Sequence, residues 1–160
     1  MKKIFFVFLI ISTTTFISCT KSFDPGTTVA SKMANGWWCT VTLNGVDQVG
    51  HPIFLSTYNN AAQTDSLFID DNEQFWEFKV QALANFSTLT FAVNNAANQY
   101  YSSNVNILSG KVLPKAGHSR TGLVTDSIYM QVQFSDDSPS YGNTYVISGT
   151  ARTGIQTDDY

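Results

Sequence analysis

Every second side chain is apolar in two separated stretches of this chain. Trp76, Phe78, Val80 and Ala82 alternate with Glu77, Lys79 and Gln81, and Ile128, Met130, Val132 and Phe134 alternate with Ser127, Tyr129, Gln131 and Gln133. Side chains of an extended chain point to opposite faces in turn. Such stretches therefore bury one face and wet the other, as antiparallel strands do. Eight runs rich in β-branched and aromatic residues are predicted to be strands, at residues 36–43, 53–58, 66–69, 75–83, 87–93, 105–113, 126–134 and 145–152. Turn chemistry separates them. Asn44-Gly45, the strongest short hairpin signal, follows the first, Asn59-Asn60 the second, Asp70-Asp71-Asn72 the third and Asp136-Asp137 the seventh. Gly110 is a candidate bulge in the sixth. Residues 59–62 and 94–99 read as loops or one short helix, and residues 115–122 as a glycine-flanked loop.

Eight successive strands suit an all-β, eight-stranded antiparallel up-and-down barrel, because closure removes exposed edges. A β-sandwich is the alternative. The strands lie in one domain, residues 35–160, and the earlier residues read differently. Met1-Lys2-Lys3 is positive, residues 4–11 are apolar, and the run is too short to span a bilayer. Residues 1–18 are thus expected to be an export signal. Phe16-Ile17-Ser18-Cys19 resembles the bacterial lipobox. That resemblance implies cleavage before Cys19 and its modification with acyl chains of the palmitate kind. A lipidated Cys19 and a polar tether, residues 19–34 with Pro25-Gly26, would then hold the domain to a membrane. Thr20 is not an inner-membrane-retention aspartate, so an outer-membrane location in the cell envelope is expected by analogy.

Loss of Lys2 and Lys3 leaves seven basic and twelve acidic side chains. An acidic surface argues against nucleic acid or anionic lipid as a partner. With Cys19 lipidated, Cys39 is the one remaining thiol, no intrachain disulfide forms, and a monomer is expected.

The catalytic and metal-binding possibilities are sparse. His51 and His118 are the two histidines, and no Gly-x-Ser-x-Gly elbow is present. His51 precedes Pro52 at a strand start, and His118-Ser119 lie in the expected 115–122 loop. Asp47, His51 and a serine are the set that folding would have to bring together. The pairs Asp70-Asp71, Asp136-Asp137 and Asp158-Asp159 read as turn formers, and Asp70-Asp71-Asn72-Glu73 lacks the spacing of a calcium loop. No catalytic set, cofactor or metal is expected. Binding fits better. A small barrel is filled or holds one ligand, and Tyr58, Trp76, Phe78, Phe91, Tyr129 and Tyr145 are the candidate ligand-binding aromatics.

Gly36-Trp37-Trp38 opens the first strand and Arg152 ends the last. The pair resembles lipocalin-like barrels, in which a first-strand tryptophan plugs the closed end under a last-strand arginine. Gly36, Trp38 and Arg152 are the barrel-closing set by spacing, with Trp37 as the other candidate plug. An ordered set of segments extends the likeness: Thr57-Tyr58-Asn59-Asn60-Ala61, Phe68-Ile69-Asp70-Asp71, Thr125-Asp126-Ser127-Ile128 and residues 147–154. From Gly36 to Asp159 the chain resembles a family of Bacteroidetes lipoproteins catalogued as "lipid-binding putative hydrolase". The resemblance implies a lipocalin-like barrel on a lipoprotein, and a small lipid-like ligand. Three functions follow as expectations: a non-catalytic envelope protein holding an apolar or amphipathic molecule in its barrel, an accessory protein with a filled barrel that binds proteins or glycans, and a hydrolase.

Overall fold

The computed structural model describes residues 28–62 and 65–160. The expected export signal and Cys19 lie outside the described residues. The strands are β1 (Asn35–Leu43), β2 (Val46–Asp47), β3 (Ile53–Asn59), β4 (Ser66–Asp70), β5 (Lys79–Asn85), β6 (Thr90–Ala97), β7 (Asn104–His118), β8 (Val124–Phe134) and β9 (Tyr145–Ala151). Asn44 and Gly45 both take positive φ, 51° and 79°, and fold the two-residue β2 back onto β1. The other eight strands pair antiparallel in chain order, and β1 also pairs with β9 from Trp37↔Ala151 to Leu43↔Tyr145. The sheet is a closed eight-stranded barrel with β2 as an added ribbon, not a sandwich.

The seam between β1 and β9 has a steric requirement. A Cβ at Gly149 would lie 2.0 Å from the Trp38 carbonyl oxygen. Only glycine lets these two backbones approach so closely.

Each strand turns its alternate side chains inward. Ile128, Met130, Val132 and Phe134 of β8 are wholly buried, as are Val80 and Ala82 of β5 and Leu67 and Ile69 of β4. Cys39 joins them inside, and burial pushes its thiol far above the ordinary range.

Because the strands run up and down, successive loops fall at opposite ends. The lower end is where β1 begins, and the upper end is where it finishes. At the lower end, Thr28 to Ala34 form tight turns, with Ala34 N–H donating to the Ala30 carbonyl. Ala30 and Met33 are wholly buried. Packing of the described chain therefore starts before Asn35, inside the segment expected to be tether, because two apolar side chains cover the barrel mouth.

The fourth predicted strand, 75–83, is displaced to Lys79–Asn85. The cause is Asp71, which is wholly buried. Its Oδ1 accepts from the amides of Glu73 and Phe78, and its Oδ2 from those of Phe75 and Trp76. The chain from Asn72 to Phe78 wraps this carboxylate, with Asn72, Glu73 and Glu77 at positive φ. Burial raises the carboxyl's pKa, and the four amides oppose that shift. The loop so formed lays Phe75 and Trp76 over the upper end. Trp76 stacks on Phe134 at 4.5 Å and 6°, and Phe75 meets Tyr145 edge-on at 5.3 Å.

Two other boundaries differ from expectation. β6 starts at Thr90 because Asn85 Oδ1 accepts from the Ser87 and Thr88 amides in a turn, and it continues through part of the expected 94–99 loop. β7 runs on to His118, so the first half of the expected 115–122 loop belongs to a strand paired with β8.

Asp71→Ala leaves four amide donors without their acceptor. It is expected to cost about 3 kcal/mol or more, since each buried unpaired group costs roughly 1–3 kcal/mol. Asp71→Asn turns an amide group toward one donor pair and should also destabilise. Urea denaturation checks both, and unchanged midpoints would refute the carboxylate's organising role.

Candidate functional site

The six candidate aromatics do not converge. Phe78, Phe91 and Tyr145 face inward at 0%, 3% and 6% exposure, packed among other side chains. Trp76 caps the upper end from its loop. Tyr58 and Tyr129 point to the outer face. Tyr58 stacks on Phe68 at 5.3 Å, and its hydroxyl donates to Asp70 at 3.1 Å. Tyr100 donates to the other oxygen of Asp70 at 2.7 Å, and Lys79 pairs with that carboxylate at 3.5 Å. Burial and Asp70 together raise the Tyr100 pKa. These hydroxyls are held by Asp70 on the barrel wall and do not line its interior. Trp37, Phe78, Phe134, Ile107 and Met130 fill that interior, each under 2% exposed.

Of the two adjacent tryptophans, Trp37 is the inward one. Its indole donates to Thr57 Oγ1 at 2.8 Å, and Thr57 in turn donates to the Met33 carbonyl. Trp38 lies outside, 5.1 Å from Phe54 and 5.6 Å from Tyr160. Arg152 does not cover Trp37. It pairs with both oxygens of Asp159 and sits 6.0 Å from the Phe54 ring. Trp38 donates to the same carboxylate at 3.2 Å. Gly36 serves this outer cluster, since a Cβ there would lie 2.5 Å from the Phe54 ring. Gly36, Trp38 and Arg152 therefore do meet, but on the outer wall, where they clamp the C-terminal segment.

A concave site lies outside the barrel, over β5 to β8. It is a groove of roughly 750 Å³ whose lining includes Leu83, Ala92, Leu108, Lys111, Tyr129 and Asp65. A bulge makes it. β7 pairs with β8 at Ile107↔Val132 and then at Ser109↔Gln131, so Leu108 is the extra residue. Leu108 and Ser109 both turn outward, beside Ala92. Gly110 is not the bulged residue. It faces inward beneath the ring of Phe91, and a Cβ there would lie 2.1 Å from that ring. Leu83 occupies an outward place on β5. Leu83 and Leu108 are 72% and 50% exposed, where an antiparallel strand ordinarily carries polar residues. Two large apolar side chains thus stand in solvent next to Ala92. Toward the lower end the lining turns polar with Asn85, Thr90 and Ser109. There the ammonium of Lys111 lies 5.5 Å from the Tyr129 ring. Sequence reading missed Leu83 and Leu108, although both were visible as apolar residues out of step with the alternation.

The histidines lie at opposite ends. His51 is exposed beside β3, with Nδ1 3.2 Å from the Pro52 carbonyl oxygen. His118 is exposed at the end of β7. Asp47 Oδ1 is occupied by the Val49 and Gly50 amides, which lower its pKa. His51 lies near enough for its charge to act on Asp47 as well, and the ring nitrogen Nδ1 is directed at the Pro52 carbonyl. Among the described residues no group of three or more His, Cys, Asp and Glu side chains is arranged to hold a metal.

A family model described as "lipid-binding putative hydrolase" matches residues 22–156, and the chain belongs to that family. No curated protein matches the chain.

The Arg152 guanidinium holds Asp159 below the usual carboxylate range. A depressed carboxyl stabilises the fold above its unfolded pKa and loses that contribution as pH falls through the folded value. The C-terminal clamp should therefore open on acidification below about pH 4. A change in Trp38 emission should report it, read against a Trp38→Phe background. Asp159→Asn should abolish the transition, and a transition that persists unchanged would refute the assignment.

Proposed function

We propose that this member of a lipid-binding family holds a single-chain amphipathic lipid along the outer groove, not inside the barrel. The observation that carries the reading is the pair Leu83 and Leu108, exposed on either side of Ala92 in a concavity whose volume falls in the usual range for small-molecule sites. The acyl chain lies over Leu83, Ala92 and Leu108. A carboxylate or phosphate head meets Lys111 at the polar end. Covering the two leucines supplies the driving force, about 25 cal/mol for each Å² of apolar surface removed from water. Lys111 sets head-group preference, because one partly solvated ammonium adds little affinity.

The reading includes a non-catalytic role in the cell envelope, with the domain tethered through a lipidated Cys19. Supporting it are the lipobox-like Phe16-Ile17-Ser18-Cys19 and the separation of the two histidines. A second reading, partner binding through the upper rim, is favoured by one feature. Tyr101, 37% exposed, donates to Asp136 beside the indole of Trp76.

The test is titration of the mature chain, starting at residue 19, with cis-parinaric acid followed by fluorescence. Leu83→Asp with Leu108→Asp should weaken binding at least about tenfold with an unchanged far-ultraviolet circular dichroism spectrum, since a charge replaces buried apolar contact at two points. Lys111→Gln should weaken the free acid more than its methyl ester. Full affinity in the double variant, or no binding by the parent chain, overturns the proposal.

A further inference from the structure

The lower end of the barrel carries apolar surface that the groove does not use. Residues 119–123 join β7 to β8, and the joined strands run past the end of β9. Ser127 pairs with Thr150, one residue before β9 ends, whereas β8 begins three residues earlier at Val124. Val124 has the same parity as Ile128 and Met130, which face the core, but it lies beyond the rim and is 60% exposed. Leu123 is 47% exposed, and Ile155 and Tyr160 of the C-terminal segment are 44% and 59% exposed. That segment is fastened to the same hairpin. Thr121 N–H donates to Asp158 at 2.7 Å, and Arg120 lies 5.6 Å from the Tyr160 ring. Val29, 54% exposed, stands in the entering chain at the same end.

Charge is divided between the ends. Lys32, Lys111, Lys115, Arg120 and Arg152 belong to the lower half, and Lys79 is the one described basic side chain in the upper half. The acidic runs 70–73 and 136–137, with Asp47 and Glu77, sit at the upper end. The lower end also holds acids: Asp159 is paired with Arg152, Asp158 accepts from Thr121 and Thr153, Asp126 accepts from the Lys115 amide, and Asp65 lies at the start of β4 beside the groove. The net negative charge of the chain is therefore concentrated at the upper end, and the lower face, where cations and acids nearly balance, does not share it.

We infer that the lower end, led by Leu123 and Val124, docks onto the surface of a lipid bilayer. Exposed apolar side chains among basic ones are the composition that settles in the head-group region. The chain enters the domain at this end. Cys19 stands nine residues before Thr28, a span of at most about 30 Å when extended. The inference rests on the tethered-lipoprotein part of the proposed function: a tether this short keeps the lower end next to the membrane. The lower, polar part of the groove then opens toward the bilayer, within reach of a lipid leaving it.

The experiment uses the mature chain with Cys19→Ser, so that only the docking face is read. It is floated with vesicles of phosphatidylethanolamine and phosphatidylglycerol at 3:1, and with phosphatidylcholine vesicles. The chain should co-float, more strongly with the anionic vesicles. Leu123→Ser with Val124→Ser should reduce co-flotation about tenfold, whereas Val46→Ser, at the opposite end, should leave it unchanged. Circular dichroism and cis-parinaric acid titration of the double variant establish that fold and groove are intact. Failure of the parent chain to co-float, or equal flotation of the double variant, overturns the inference. Either result leaves the groove to be judged by its own titration.

Discussion

Closure of the sheet between β1 and β9 is the constraint on which the other features depend. Seven consecutive residue pairs from Trp37↔Ala151 to Leu43↔Tyr145 hold the seam, and the missing side chain at Gly149 lets the backbones meet. Once the ring is closed, the inward half of every strand shares one interior. That interior is packed with Trp37, Phe78, Phe134 and their aliphatic neighbours, all buried, where the aromatic content suggested a ligand. The proposed ligand site accordingly lies on the outer wall, where irregularity in the strands decides what is exposed.

Two irregularities shape that wall and the upper end, and each has a local cause. At Leu108 one extra residue puts two successive side chains on the wet face. At Asp71 one buried carboxylate collects four amides and replaces half of an expected strand with a loop that caps the barrel. The first provides an apolar surface, and the second seals the core beneath it. Neither costs the sheet its closure, because both fall where the pairing can absorb them.

The barrel itself was legible in the sequence. The alternation from Ile128 to Phe134 placed β8 with its inward face correct, and Asn44-Gly45 placed the first turn. The site was not legible in the same way. Trp76 kept the inward rhythm of Phe78, Val80 and Ala82, yet it belongs to a loop, because the capture of nearby amides by one buried carboxylate leaves no mark on periodicity. Which of Trp37 and Trp38 faces inward depends on where pairing with β9 begins, and single-strand pattern is silent on that. Leu83 was a signal that could have been taken, an apolar residue in a polar place. The division of charge was hidden for another reason. Acidic and basic residues come in separate runs along the chain, and only the up-and-down path, which sends neighbouring loops to opposite ends, shows which end each run occupies.

Cys39 carries a last consequence. Its sulfur sits 1% exposed on the inward face of β1, in surroundings that disfavour the thiolate. Attack on a disulfide, or capture by an oxidant, begins from the ionised sulfur. A lone cysteine on the surface would cross-link with other proteins wherever oxidants circulate. Here it is shelved as one more small apolar filler, chemically silent for as long as the seam beside it stays shut.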